Sequence, residues 1–204
     1  NIANMNTTAY TRRRAEFQDL LYQNQRQVGS TSSDTGTIVP AGVQVGLGVK
    51  TAAVYRITEQ GNLTLTENSL DVAINGEGYF QVTLPSGETA YTRSGAFQLS
   101  PTGEIVTVDG FTVQPGITIP NNAIDITVNA SGQVEVKIDG TVTPTVAGQL
   151  QLAVFPNEAG LLAIGDNLFL ETPASGTAGT GNPATTGFGA LQQGFLETSN
   201  VNVV

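Results

Sequence analysis

Through the middle of this chain, glycine turn dipeptides stand at short intervals: Asn75-Gly76, Ser86-Gly87, Thr102-Gly103, Asp109-Gly110, Ser131-Gly132 and Asp139-Gly140. Glycine supplies positive φ at no steric cost, and Asn or Asp before it tolerates the tight turn, so each pair marks a hairpin reversal. The stretches between them alternate apolar with polar residues. Val72 and Ile74, Phe80 and Val82 and Leu84, Ile117 and Ile119, Ile124 and Ile126 and Val128, Val134 and Val136 and Ile138, and Leu150 and Leu152 and Val154 all show period two. Short strands at regular spacing predict an antiparallel β domain, a compact barrel or sandwich, over residues 71–190. Within it, Thr172 to Gly187 is low in complexity and reads as a mobile loop or a return arm.

The two ends follow a different period. Ile2, Met5, Ala9, Phe17, Leu20 and Leu21 fall near an i, i+3, i+4, i+7 stripe, with Asn4, Asn6, Arg13, Arg14, Glu16 and Asp19 on other faces. That spacing predicts an amphipathic helix over 1–28. No neighbouring segment covers its stripe, so another part of the chain or another molecule must. The candidate is the far end, 191–204, where Thr198 or Ser199 is placed as an N-cap and Val201 and Val204 begin a second stripe. Residues 29–70 form the connection. From Gly29 to Gly48 the chain is rich in Gly, Ser and Thr, with Pro40 fixing the backbone, and it reads either as a linker or as an extended arm. The strict alternation of Val43, Val45, Leu47 and Val49 favours an arm that packs on something. Ile2, Met5, Phe17, Leu20, Leu21, Tyr22, Pro40, Val43, Val45, Leu47, Val201 and Val204 are therefore the candidate assembly surface. The expected fold class is mainly β with terminal α-helices, in which a barrel-like or sandwich-like domain carries an extended arm and a paired helix region.

Composition excludes much chemistry. The 204 residues contain neither His nor Cys, which removes the usual general base, the thiolate nucleophile and nitrogen or sulfur metal ligands. Lys50 and Lys137, hydroxyls and carboxylates are left. Glu77, Glu88, Glu104 and Asp109 sit near turns, yet a glycosidase pair lacks support in a chain without Trp to stack on a sugar. Gly76-Glu77-Gly78 and Gly46-Leu47-Gly48 open no helix after a strand, so they read as turns and not as nucleotide loops. No catalytic residue, cofactor or metal is expected. Net charge is -9, and it is uneven: residues 1–26 hold Arg12, Arg13, Arg14 and Arg26 against Glu16 and Asp19, while the rest holds four basic and fifteen acidic residues. Nucleic acid is not an expected partner of such a chain. Either the basic end of one copy meets an acidic surface of another, or both are solvated faces. No apolar run reaches the roughly 18 residues of a membrane span, and no signal peptide is visible. In Tyr91-Thr92-Arg93-Ser94-Gly95-Ala96-Phe97 the expectation is a hairpin in which Tyr91 and Phe97 pack and Arg93 pairs with a carboxylate.

Five stretches make the sequence similar to a known family: NIANMN leading to EFQDLLYQ; GVQVGLGV; GNLTLTENSLDVAINGEG running into YFQV; YTRSGAF followed by GEIVTVDG; and GFLETSNVNVV. Together they resemble the axial proteins of the bacterial flagellum, the rod and hook family. The segment from Gly29 to Gly48 after EFQDLLYQ points within it to the distal rod of the basal body. The resemblance implies terminal helices that pair as a coiled coil around an axial channel and extend beyond this sequence, with the arm and β domain packed outward in a helical polymer. It implies a rigid drive shaft that transmits torque, export by the flagellar type III apparatus, a place in the periplasm-spanning rod, and proximal rod, hook and surrounding ring proteins as neighbours. A proximal rod or hook subunit is the alternative within the family. Outside it stands a β-rich adhesin or glycan-binding module.

Overall fold

A computed structural model describes residues 2–26 and 43–201, and they form two compact units, 13–56 and 1–12 with 57–204. The strand pairs are antiparallel throughout.

The larger unit is built around Tyr79–Thr83. This strand pairs with Thr89–Thr92 across a tight hairpin and, on its other side, with Thr112–Val113 and Leu152–Val154. The sheet continues outward through Leu168–Leu170 to an edge at Leu162–Gly165, and in the other direction through Ile105–Thr107 to Phe97–Leu99. It is open, not a closed barrel. A separate three-stranded sheet, Ala123–Val128, Gln133–Ile138 and Thr145–Gln149, stands beside it.

Alternation along Tyr79–Thr83 sends its side chains into two cores. Phe80 and Val82 join Ile74, Val113, Val134, Val136, Leu150 and Leu152 in the main one, where burial of apolar area is the dominant stabilising term. Tyr79 points the other way, into an aromatic cluster with Tyr91, Phe155 and Phe169. The rings meet edge to face, Tyr91 to Phe155 at 4.8 Å and Tyr79 to Phe169 at 5.9 Å between centroids, the arrangement their quadrupoles favour.

Two further strands close this unit from the far end of the sequence. Ala190–Gln193 pairs with Val72–Asn75, and Phe195–Glu197 pairs with Leu63–Leu65. Leu191 is buried, and the Gln193 side chain accepts from Val128 N while donating to Ile126 O and Ser69 O. The segment Thr172 to Gly187, expected as a loop or arm, is largely an exposed loop anchored at a few points: Ser175 and Pro183 are fully buried, and Gly179–Gly181 pairs with Leu152–Val154.

The smaller unit is a twisted ribbon. Arg13–Asp19 pairs with Val49–Arg56, and Tyr22–Arg26 with Val43–Gly46. The helix expected over 1–28 is therefore not formed among the described residues, beyond a single 3-10 turn at Ile2–Asn4. Ala9 at φ +54° interrupts any helix running through it. Beyond that break, Ala15 and Phe17 alternate with Arg14, Glu16 and Gln18, so the segment fits period two as well as 3.6. A short helix without a packing partner is marginal in water, whereas VKTAAVYR, rich in β formers, offers a full set of backbone partners. The C-terminal helix expected over 191–204 is likewise not formed among the described residues, which run through the two closing strands and an irregular segment to Val201, while 202–204 lie outside them. Ser199 keeps a cap-like role there, its Oγ accepting from Val201 N at 3.3 Å.

Candidate assembly surface

Two places in the molecule concentrate the residues singled out from the sequence. The first is the ribbon. Every side chain described in Arg13–Asp19 is exposed, and so is the apolar set running along the ribbon: Phe17 at 67%, Leu21 at 82%, Leu47 at 60% and Val49 at 67%. Tyr22, Val45 and Val54 are also exposed. Leu20 N donates to Gly48 O and Leu47 N to Leu21 O, so the register holds Leu20, Leu21, Tyr22, Val45 and Leu47 together in one stretch. Gly46 lies against the Tyr22 ring, where a Cβ would stand 3.2 Å from it. An apolar run of this length therefore lies uncovered on a two-stranded ribbon, an element that gains little stability alone.

The second place is a junction where four passages of the chain meet in the larger unit. Asn200 is its hub. Its Oδ1 accepts from Arg12 N, and its Nδ2 donates to Ile57 O and Glu59 O, both at 2.8 Å. Its backbone N donates to Tyr10 O, while Ala9 N donates to Glu197 O and Ile57 N to Arg12 O. Arg12 also reaches the Glu59 carboxylate at 3.0 Å. Arg12 and Ile57 are the residues at which the chain leaves for the ribbon and returns from it.

Beneath the junction lies an ion pair. Arg93 Nε donates to Glu197 Oε2 at 2.8 Å, with both side chains buried, and the guanidinium also donates to the carbonyls of Gly76, Gly78 and Ile74. Glu197 accepts in addition from Gly61 N at 3.0 Å. The charges are thus matched and their remaining bonds filled, the condition under which a buried pair is tolerated. Glu197 is the carboxylate expected for Arg93, but the hairpin expected across Tyr91 to Phe97 is not formed: Thr89–Thr92 and Phe97–Leu99 lie at separate places in the sheet, and Phe97 packs edge to face on Phe80 while Tyr91 joins the other aromatic cluster.

The candidate residues separate accordingly. Leu20, Leu21, Tyr22, Val45, Leu47 and Phe17 share the ribbon, while Met5, exposed, and Val201, half-buried, belong to the larger unit. Ile2 starts the 3-10 turn and Val43 opens the strand Val43–Gly46. Pro40 and Val204 lie outside the described residues. The helical stripe that joined Met5 to Phe17 in the sequence does not exist as a face. The two ends of the chain are nevertheless partners, through the bonds of Ala9, Tyr10 and Arg12 to Glu197 and Asn200. Asn200 and Glu197 escaped notice as functional positions; the one visible signal was an acid set directly after two apolar residues, Phe195 and Leu196.

Among the described residues, no three His, Cys, Asp or Glu side chains gather as a metal site, and no helix is long and apolar enough to cross a membrane.

Comparison with known proteins is consistent over the full length. Residues 73–136 match the family model for the flagellar hook protein FlgE/F/G D1 domain. The flagellar basal-body rod protein FlgG of Caulobacter vibrioides is 62% identical over 204 residues, covering 100% of this chain and 78% of that protein. The protein of the same name from Agrobacterium fabrum is 51% identical over the same coverage. The flagellar hook protein FlgE of Treponema pallidum is 37% identical over 155 residues, 72% of this chain and 32% of that protein.

Proposed function

The chain belongs to the FlgG family of flagellar basal-body rod proteins, a structural subunit of the rod, and from that premise we propose that it works by helical self-assembly into the distal rod, not by catalysis. The observation that carries the proposal is the ribbon, whose apolar side chains have no cover within their own unit. Charge supplies the direction of docking. Residues 13–56 hold five basic and three acidic side chains, and the remainder holds three basic and fourteen acidic ones, so a ribbon is drawn to the larger unit of another copy. Each copy then buries its neighbour's exposed stripe. Because the donor and acceptor surfaces differ, the contact is heterologous and propagates as an open helix, the form a shaft requires.

In this reading the shaft passes torque from motor to hook and filament, with proximal rod, hook and ring proteins as its neighbours. The four-part division of the sequence, axial ends at 1–28 and 191–204, arm at 29–70 and β domain at 71–190, is proposed for the assembled state. Support for it comes from the bonds that bring Ala9 to Arg12 against Glu197 to Asn200. A hook subunit is the second reading, favoured by the likeness to the Treponema hook protein.

The test is the double variant Phe17→Ser with Leu47→Ser in the full-length protein. Electron microscopy and light scattering should show rod-like polymers for the parent and monomers for the variant at the same concentration. Polymers of undiminished length from the variant would remove the ribbon from the interface.

A further inference from the structure

Asn75-Gly76 is the single Asn-Gly pair in the sequence. In such a pair the glycine nitrogen can attack the side-chain amide carbon of the preceding Asn, and it does so faster than any other residue because no Cβ hinders its approach or restricts its backbone. The fold gives no freedom to replace the glycine. Gly76 sits at φ +114°, and a Cβ there would stand 3.0 Å from the Gly189 Cα. The labile dipeptide is thus imposed by close packing of two backbones, and Asn75 itself is exposed to water.

The surroundings hold that peptide still. Gly76 N donates to Gln60 Oε1 at 3.0 Å, and the same carboxamide donates from Nε2 to Ile74 O at 2.6 Å. Gln60 therefore spans Asn75 like a staple. Arg93 holds the same stretch from the inside, donating to Gly76 O at 3.0 Å and to Ile74 O at 3.3 Å. Asn75 is also in register with Ala190 on the closing strand. To reach its target, the Gly76 nitrogen must swing about the Asn75 ψ bond, which breaks its bond to Gln60 and pulls Gly76 O against Arg93.

We infer that Asn75 is a latent deamidation site and that Gln60 is the residue that keeps it closed. When the site opens, Gly76 N gives its proton to base and bonds to Asn75 Cγ, and the side-chain nitrogen leaves as ammonia. Water then opens the five-membered imide at either carbonyl, leaving aspartate or isoaspartate. Isoaspartate inserts one extra carbon into the main chain between Ile74 O and Gly76 O, two of the three carbonyls that Arg93 holds. That displacement unseats the pairing of Val72–Asn75 with Ala190–Gln193.

The experiment incubates the full-length protein at mildly alkaline pH, with the fold verified by circular dichroism, and follows Asn75 by peptide mapping. Conversion in the native parent should be at least about tenfold slower than in the same chain unfolded in urea, the factor that one or two hydrogen bonds supply. Gln60→Ala should lose about that tenfold while still folded. Gln60→Glu, which keeps an acceptor for Gly76 N but loses the Nε2 bond to Ile74 O, should convert faster than the parent, and it decides the matter if the alanine variant does not fold. Equal rates in native and unfolded parent, a folded Gln60→Ala at the parent rate, or a folded Gln60→Glu at the parent rate would each overturn the assignment.

Discussion

The Glu197 carboxylate carries two bonds, one to the buried Arg93 guanidinium and one to Gly61 N. Glu197→Ala leaves that cation without its counter-charge, and removal of one partner of a buried pair costs about 3 kcal/mol. Arg93 keeps its three carbonyl acceptors, so the variant should fold but unfold at a clearly lower urea midpoint with an unchanged slope. Tyr91 provides a second prediction. Burial first, then the negative charge of Glu171, raise its phenol above the ordinary value of 10.0. The folded state then holds a proton that the unfolded chain releases, so this contribution to stability is complete below about pH 10 and is lost as pH rises through the raised value. Tyr91→Phe should flatten the alkaline limb of a stability-against-pH curve measured by denaturant unfolding, with little change at neutral pH. At this scale the sequence was partly transparent. Arg93 between two aromatics in an acidic chain demanded a carboxylate, but which one depended on a strand more than a hundred positions away. Asn200 gave no sign at all, because a carboxamide hub looks like any surface Asn until its three partners converge.

Elements were readable where alternation and turn chemistry agreed, save that Asn75-Gly76 closes no hairpin, because Val72–Asn75 pairs with Ala190–Gln193 and not with Tyr79–Thr83. Tyr79–Thr83 and Thr89–Thr92 reverse at Ser86-Gly87, and Gln133–Ile138 follows Ser131-Gly132, as the dipeptides require. They were misread where two periods coexisted. In Arg13–Asp19 the apolar residues satisfy a helical stripe and a strand face equally, and the choice fell to a partner strand over thirty positions downstream. Exposure along that ribbon has a thermodynamic corollary for the Phe17→Ser, Leu47→Ser variant. Substitutions at open surface positions shift folding stability by about 0.5 kcal/mol or less, so its urea midpoint should match the parent's even while polymerisation fails. A large drop in midpoint would mean that these side chains support the fold of the single copy.

Taken whole, the molecule is electrically divided, and that division bears on assembly. If basic ribbons are drawn to acidic bodies, added salt should loosen the polymer, because exposed charges separated by more than a Debye length of about 8 Å at physiological ionic strength are screened. Sedimentation at rising salt concentration should show shorter polymers first, then monomers; lengths that do not respond to salt would leave apolar contact as the sole driving force. Charge asymmetry was legible from residue positions alone. Its division between a ribbon and a compact body was not, since it needed the finding that residues 13–56 form a unit of their own.

Asn200 ties Tyr10, Arg12, Ile57 and Glu59 to one side chain and its own backbone. Mechanically this makes it a knot. A pull on Asn200 reaches the Tyr10 to Arg12 passage and the Ile57 to Glu59 passage at once, through one carboxamide and its own backbone, without crossing a sheet.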